Sequence, residues 1–241
     1  MRLVGLVAGA AATALVAVGA ITYAVAEGDT GAGAGGRAPS ASVSESGDGS
    51  GSGSGSGAKS GDGSGSGLTP PAADSADAGF ARDMAVHHQQ AVEMSYIVRD
   101  RTKDTEVRRL AYDIAQTQAN QRGMLLGWLD LWGLPKVSAE PPMAWMGMNA
   151  PAGEDGALMP GMATDAQMKR LGQLDGRQAE VYYLRLMTAH HKGGIHMAEG
   201  CVAKCTVGVE KRLAQGMVDA QQSEIRMMAD MLKKRGATGG S

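Results

Sequence analysis

The chain reads as an all-α protein, a four-helix bundle assembled from two copies of one helical hairpin, and three observations predict this. Aligned against itself at an offset of 103 residues, Phe80-Ala81-Arg82-Asp83-Met84-Ala85-Val86-His87-His88 falls on Tyr183-Leu184-Arg185-Leu186-Met187-Thr188-Ala189-His190-His191. The register then continues without a gap over about fifty residues, the mark of an internal duplication. It sets Met94 on Met197, Arg109-Leu110-Ala111 on Arg212-Leu213-Ala214, Gln118 on Gln221, Gln121 on Glu224 and Leu129 on Leu232. Apolar and small residues recur at helical spacing in both copies, and no segment alternates as a strand would.

In chain order, Arg2 is followed by an apolar or small-residue run from Leu3 to Ala26. That length suits a helix crossing a bilayer core of about 30 Å, and Ala24-Val25-Ala26 also fits a signal-peptidase site. Residues 1–26 are therefore a membrane anchor or a signal peptide, the length favouring a retained anchor. Either way the rest of the chain lies outside the cytoplasm, held at the outer face of the membrane or secreted if cleaved after Ala26. Residues 27–75 are mostly Gly, Ser and Ala with scattered acids. They offer too little apolar surface to offset ordering entropy and form a flexible linker.

The folded domain spans 76–236. Phe80, Met84, Ala91, Met94 and Ile97 mark the first helix, and Asp104-Thr105 stops it and caps the next. Val107, Leu110, Ala111, Ile114, Ala115, Gln118, Leu125 and Leu129 form the second stripe, which ends at Gly133-Leu134-Pro135. The second copy repeats the pattern to about Lys204 and from Val207 to Arg235, with Gly236 as C-terminal cap. The connection 136–163 is irregular, and Thr164-Asp165-Ala166-Gln167 opens a short extra helix ending near Asp175-Gly176. Residues 237–241 are a tail. Two such hairpins cover each other's apolar faces most simply as a bundle.

The formal net charge is −2 and the chain has only nine aromatic residues, one Phe, three Trp and five Tyr. This excludes the basic footprint and stacking surfaces of a nucleic-acid binder. The chemistry sits on one face instead. At 100° per residue, Met84, His87, His88, Ala91 and Met94 lie within about 120° of each other on the core side of their helix. Met187, His190, His191, Gly194 and Met197 do the same in the second copy. A methionine on such a stripe is ordinarily core filler. Four histidines at repeated inward positions are different, because burying an unpartnered imidazole costs on the order of 1–3 kcal/mol.

The donor set selects the metal. Thioether and imidazole suit a soft ion, copper(I) or silver(I), and the chain has 16 Met against 2 Cys. No Glu-x-x-His of a di-iron bundle and no oxygen cage for calcium or magnesium occurs. Met143, Met146 and Met148 around Trp145, with Met159 and Met162, form a second methionine group in the connection. It reads as a weaker copper site, a flap over the bundle, or packing on its end. Cys201 and Cys205 read as a disulfide in an oxidising compartment, with a thiolate copper site as the alternative. Asp113, Gln118, Gln121, Gln221 and Glu224 repeat at inward-leaning positions. There they would accept the second ring N–H of a ligating histidine, or form an ordinary polar rim.

The doubled Met-x2-His-His-x5-Met motif, Met159-Pro160-Gly161-Met162 between its copies, and Gln221-x2-Glu224-Ile225-x2-Met228 resemble a ferritin-like family long known only as a domain of unknown function. Its periplasmic CopM-type members bind copper and support copper resistance. The resemblance covers about residues 76–234 and implies a ferritin-like four-helix fold lacking the ferritin iron ligands. For the matched Met and His positions it implies copper binding. The first hairpin departs from the pattern at Gln121-Arg122, where Glu-Ile is usual. The expected function is non-catalytic capture of copper(I) for sequestration, tolerance or transfer to a trafficking partner. The competing readings are a tethered interaction module without metal and a ferritin-like metal-dependent oxidoreductase.

Overall fold

A computed structural model describes residues 69–148, 153 and 155–237. The apolar N-terminal run, the cleavage point at Ala26, most of the Gly/Ser-rich linker and the tail from 238 lie outside the described residues. Among the described residues there is no strand. The order is α1 (Ala76–Arg101), α2 (Thr105–Leu131), a single 3-10 turn (Ala144–Met146), α3 (Asp165–Gln173), α4 (Gly176–Lys204) and α5 (Gly208–Lys234). None of these helices is long and apolar enough to cross a membrane.

Local chemistry accounts for the breaks. Ser75 opens α1 by accepting from Ala78 N, and Asp104 opens α2 by accepting from Val107 N at 2.9 Å, each satisfying a donor the helix itself cannot. Gly133 takes φ 66° just past α2, and Leu134 N returns to the Leu129 carbonyl at 2.9 Å. Thr164 and Gln167 form a reciprocal capping box at the start of α3. α5 has no side-chain cap from its own N-cap residue. The amides leading into it, Thr206 N and Val207 N, donate to Asp77 of α1 at 2.8 and 2.7 Å.

The long helices form two hairpins, α1 with α2 and α4 with α5, and the hairpins meet through α1 and α4. Those two helices run antiparallel. Asp77 meets Thr206, the His87 carbonyl meets His190, the Ser95 hydroxyl meets that of Tyr183, and Thr102 donates to Glu180. At the last of these ends Arg235 pairs with Glu180 at 2.7 Å and with Asp104 at 2.9 Å. This ties the end of α5 to α4 and to the α1–α2 link.

The buried apolar side chains fall into two clusters. Phe80, Met84, Leu125, Leu129, Met197 and Met217 belong to one, and Met94, Ile114, Tyr183, Leu184, Met187 and Leu232 to the other. Side chains of this size contribute about 1.5–3 kcal/mol each on full burial. The paired histidines of α1 and α4 lie in sequence between the methionines of the two clusters, so a polar layer interrupts an otherwise apolar core.

Candidate metal centre

His87, His88, His190 and His191 are all fully buried, at 0 % exposure. Helical spacing puts each dyad on the core side of its helix, where His87 and His190 meet across the hairpins while His88 and His191 reach the second helix of their own hairpin. The crossing of α1 and α4 brings the His87 and His190 rings face to face, with centroids 3.7 Å apart and planes inclined by 32°. The His190 and His191 centroids are 6.4 Å apart. The fifth histidine, His196, is exposed and takes no part.

Hydrogen bonds orient the rings. His191 Nε2 donates to Glu224 Oε2 at 2.7 Å, and His88 Nε2 donates to Gln121 Oε1 at 2.9 Å, so the same contact recurs at the 103-residue offset. His190 Nε2 donates to the His87 carbonyl oxygen at 3.0 Å. Carboxylate and carbonyl oxygens only accept, which puts a ring proton on Nε2, and in a neutral ring that leaves the Nδ1 lone pair free. Nδ1 of His88, His190 and His191 and both ring nitrogens of His87 are buried without a hydrogen-bond partner. Each such atom costs on the order of 1–3 kcal/mol. Coordination of a cation is the interaction that would relieve several of them at once.

Three of these rings are also held neutral. Burial pushes His87 and His190 well below the ordinary histidine range, and the neighbouring histidines push further in the same direction. The Pro160 carbonyl beside His87 opposes this without forming a hydrogen bond of ordinary geometry. Burial brings His88 down to about 3, against the opposing Gln121 contact. Neutral imidazole is the form that ligates metal.

Thioethers from both copies sit at each side of this layer. Met84 and Met187 lie one helical turn before their dyads, and Met84, Met94, Met187 and Met197 are all fully buried. Because α1 and α4 are antiparallel, Met84 shares a cluster with Met197 and Met94 shares the other with Met187. Each side thus receives one thioether from each copy.

The connection closes over the crossing. Gln90 clamps it by accepting from Ala163 N at 2.7 Å and donating to Ala163 O at 2.8 Å. Gly193 makes the approach possible, since a Cβ there would lie 2.0 Å from the Pro160 carbonyl oxygen. Met159 is buried and Met162 half-buried, both against the cluster that holds Met84 and Met197. Further back, Asp83 accepts from Met143 N at 2.7 Å and from Trp145 Nε1 at 2.9 Å, and Trp145 meets Phe80 edge to face. Met143 is buried, while Met146 and Met148 are half-buried against the same cluster.

The remaining candidates divide. Gln121 and Glu224 touch histidines. Gln118 and Gln221 are buried but bond to none, and their Oε1 atoms are unpartnered, with Gln221 packed on Gly194. Asp113 is exposed, contrary to the inward position expected of it. It lies five residues before Gln118, about 140° away around the helix. Cys201 and Cys205 are joined by a disulfide, with Cα atoms 4.8 Å apart. Sequence reasoning missed Gln90, Pro160 and Gly193. The signal available for Gln90 was its place three residues after His87, on the same helical face.

Comparison with known proteins bears on this geometry. A family model described as a domain of unknown function, DUF305, matches residues 77–232. A crystal structure of a DUF305 protein of Streptomyces coelicolor, classed as secreted, is 76% identical, covering 70% of this chain and 99% of its own, with TM-score 0.66. A DUF305 fragment of Deinococcus radiodurans is 29% identical over 66% of this chain and 96% of its own, with TM-score 0.54. CopM in its Cu(I)-bound form shares the fold at 18% identity and TM-score 0.50, covering 66% of this chain and 96% of its own. No curated protein sequence matches the chain.

Proposed function

The chain belongs to the DUF305 family, and we propose that it binds a soft monovalent metal ion outside the cytoplasm, copper(I) by preference and silver(I) as an alternative cargo. The observation that carries this reading is the layer of four fully buried imidazoles, each with at least one ring nitrogen that has no hydrogen-bond partner within the protein. His87, His88, His190 and His191 are the proposed imidazole ligands. Met84, Met94, Met187 and Met197 are the proposed thioether donors, with Met159 and Met162 supplied from the connection. Gln121 and Glu224 hold the rings of His88 and His191 so that Nδ1 faces the ion. Gln118 and Gln221 add no contact to a histidine and are assigned a packing role.

A soft ion suits this set because thioethers need no deprotonation and favour copper(I) over zinc or iron. Distant support comes from CopM, which has been solved with Cu(I), Cu(II) and Ag bound. The role proposed is sequestration or hand-over to a trafficking partner without turnover. An extracytoplasmic location is supported by the apolar N-terminal run and by the Streptomyces relative classed as secreted. Retention at the membrane by that run is part of the proposal.

The test is a copper(I) competition titration with a chromophoric chelator on the full chain and on a variant with all four histidines changed to Ala, its helicity checked by circular dichroism. The wild type is expected to take copper(I) from the chelator and the folded variant to lose it. Equal affinities would remove the histidine layer from the binding site.

A further inference from the structure

At the corner between α4 and α5, away from the histidine layer, stands a second group of metal-ligating side chains. Cys201, Cys205 and Glu210 offer two sulfurs and a carboxylate oxygen that all lie within 4.8 Å of one another. The disulfide occupies the two sulfurs, while Glu210 is 0 % exposed and neither of its carboxylate oxygens has a hydrogen-bond partner of ordinary geometry. Asp77 lies beside it, its own oxygens taken by Thr206 and Val207. Burial, and then the charge and contact of Asp77, push the Glu210 carboxyl up to about 9.

The duplication supplies an internal control for what the fold itself needs here. At the 103-residue offset Cys201 corresponds to Val98, Cys205 to Thr102 and Glu210 to Val107. Val98 and Val107 are fully buried and Thr102 nearly so. The first hairpin therefore closes the equivalent corner with valines and a threonine. A buried carboxyl group set against two sulfurs, with Asp77 beside it, is an addition of the second hairpin that packing does not require.

We propose that this corner is a redox-gated cation site, in which Cys201 Sγ, Cys205 Sγ and the Glu210 carboxylate bind one thiophilic divalent ion of the zinc class once the disulfide is reduced. A dithiol reductant supplies the two electrons. Its thiolate attacks one sulfur, the Cys201–Cys205 bond breaks, and its second thiol resolves the mixed disulfide, leaving two protein thiols and an oxidised reductant. The cation then displaces the two thiol protons and the carboxyl proton of Glu210 to solvent. Two thiolates and a carboxylate suit a tetrahedral d10 centre with one position left open. Three anionic donors in a dry pocket call for a divalent ion.

The site is distinct from the histidine layer, so its test does not depend on the proposed copper function. The full chain, oxidised or reduced and freed of reductant under anaerobic conditions, is titrated with Co(II) as a spectroscopic stand-in and then with Zn(II) in competition. Reduction is expected to add one equivalent of bound Co(II), with thiolate-to-metal charge-transfer absorption and tetrahedral d–d bands that Zn(II) abolishes. Glu210→Val, which installs the first hairpin's own residue, should keep the fold and weaken the added site by at least about tenfold, since losing even a partner that only orients a ligand costs about 10- to 100-fold. Cys201→Val with Cys205→Thr should remove the added equivalent altogether. The proposal is overturned by equal Co(II) uptake in both redox states, by full affinity in the folded Glu210→Val variant, or by a reduced corner that takes copper(I) but neither divalent ion.

Discussion

The two hairpins carry the same histidines in the same register, yet they finish the site differently. In the first, His88 leans on the neutral Gln121, whereas in the second His191 leans on the acidic Glu224. The first hairpin uses Gln90 to grip the connection, and the equivalent position of the second is Gly193, stripped of its side chain so that Pro160 can lie against the helix. What the copies share, the helices and the imidazoles, sets the fold and the donor layer. What they have stopped sharing sets the charge beside that layer and the way it is covered.

Acid should break both halves together, with the largest effect on the metal-free protein. Above about pH 6.5 the rings of His87, His88 and His190 are neutral folded or unfolded and contribute nothing. Below it the unfolded chain takes up protons that the buried rings refuse, so stability falls as pH falls, by up to about 1.4 kcal/mol per pH unit for each ring. For His88 this continues down to about pH 3. Glu210 slopes the other way. Held up to about 9, its carboxyl favours folding below its unfolded pKa near 4.5 and loses that contribution as pH rises toward 9. Urea midpoints at pH 7 and 5 should therefore be compared in Glu210→Gln, where the opposing slope of Glu210 is removed, and adding His88→Gln should make the remaining slope less steep while His87 and His190 keep theirs. An unchanged slope would mean that the His88 ring is not held neutral.

Much of this comparison was legible in the sequence. The helical stripes, the Asp104 and Thr164-Gln167 caps and Gly236 are local signals, decided within a turn or two of chain, and the structure has them where the residues put them. The duplication made the inward dyads legible as well, because a repeat doubles a pattern that one helix leaves ambiguous. Gln90 and Gly193 were not legible, since their partners lie in an irregular connection, 73 residues from Gln90 along the chain. Asp113 misled because proximity in sequence to Gln118 is not proximity on the helix surface.

Exchanging the acceptors sharpens the contrast. Glu224→Gln makes the second half resemble the first and should weaken copper(I) binding about 10- to 100-fold, the usual scale for a partner that orients a ligating histidine. Gln121→Glu makes the first half resemble the second and places another negative charge near the bound cation, so affinity should rise. Chelator competition reads both. If neither change moves the affinity, the two acceptors serve packing alone.

The clamp comes next in size. Gln90→Ala leaves the buried Ala163 amide and carbonyl without their partners, which costs on the order of 1–3 kcal/mol. The same variant should exchange bound copper faster if the connection covers the layer. Urea denaturation and the rate of copper(I) transfer to a chelator measure the two effects separately, and a variant with wild-type values in both would leave Gln90 no part in holding the connection.

The smallest effects come from one substitution with opposite signs. Gly216 lies on the exposed side of α5, where α2 has Asp113, and nothing stands within 4 Å of where its Cβ would be. Gly216→Ala should therefore stabilise the domain by about 0.5–1 kcal/mol, the ordinary gain from replacing a helical glycine. Gly193→Ala gains the same helix propensity but drives a methyl group into the Pro160 carbonyl, and overpacking of that kind costs about 1–3 kcal/mol. Thermal unfolding of the two variants should move in opposite directions. If both rose together, the connection would be free to lift from α4 at little cost, and Gly193 would be an accident of drift between the halves; a fall confined to Gly193→Ala means that the second hairpin gave up a side chain to let the connection down onto the histidines.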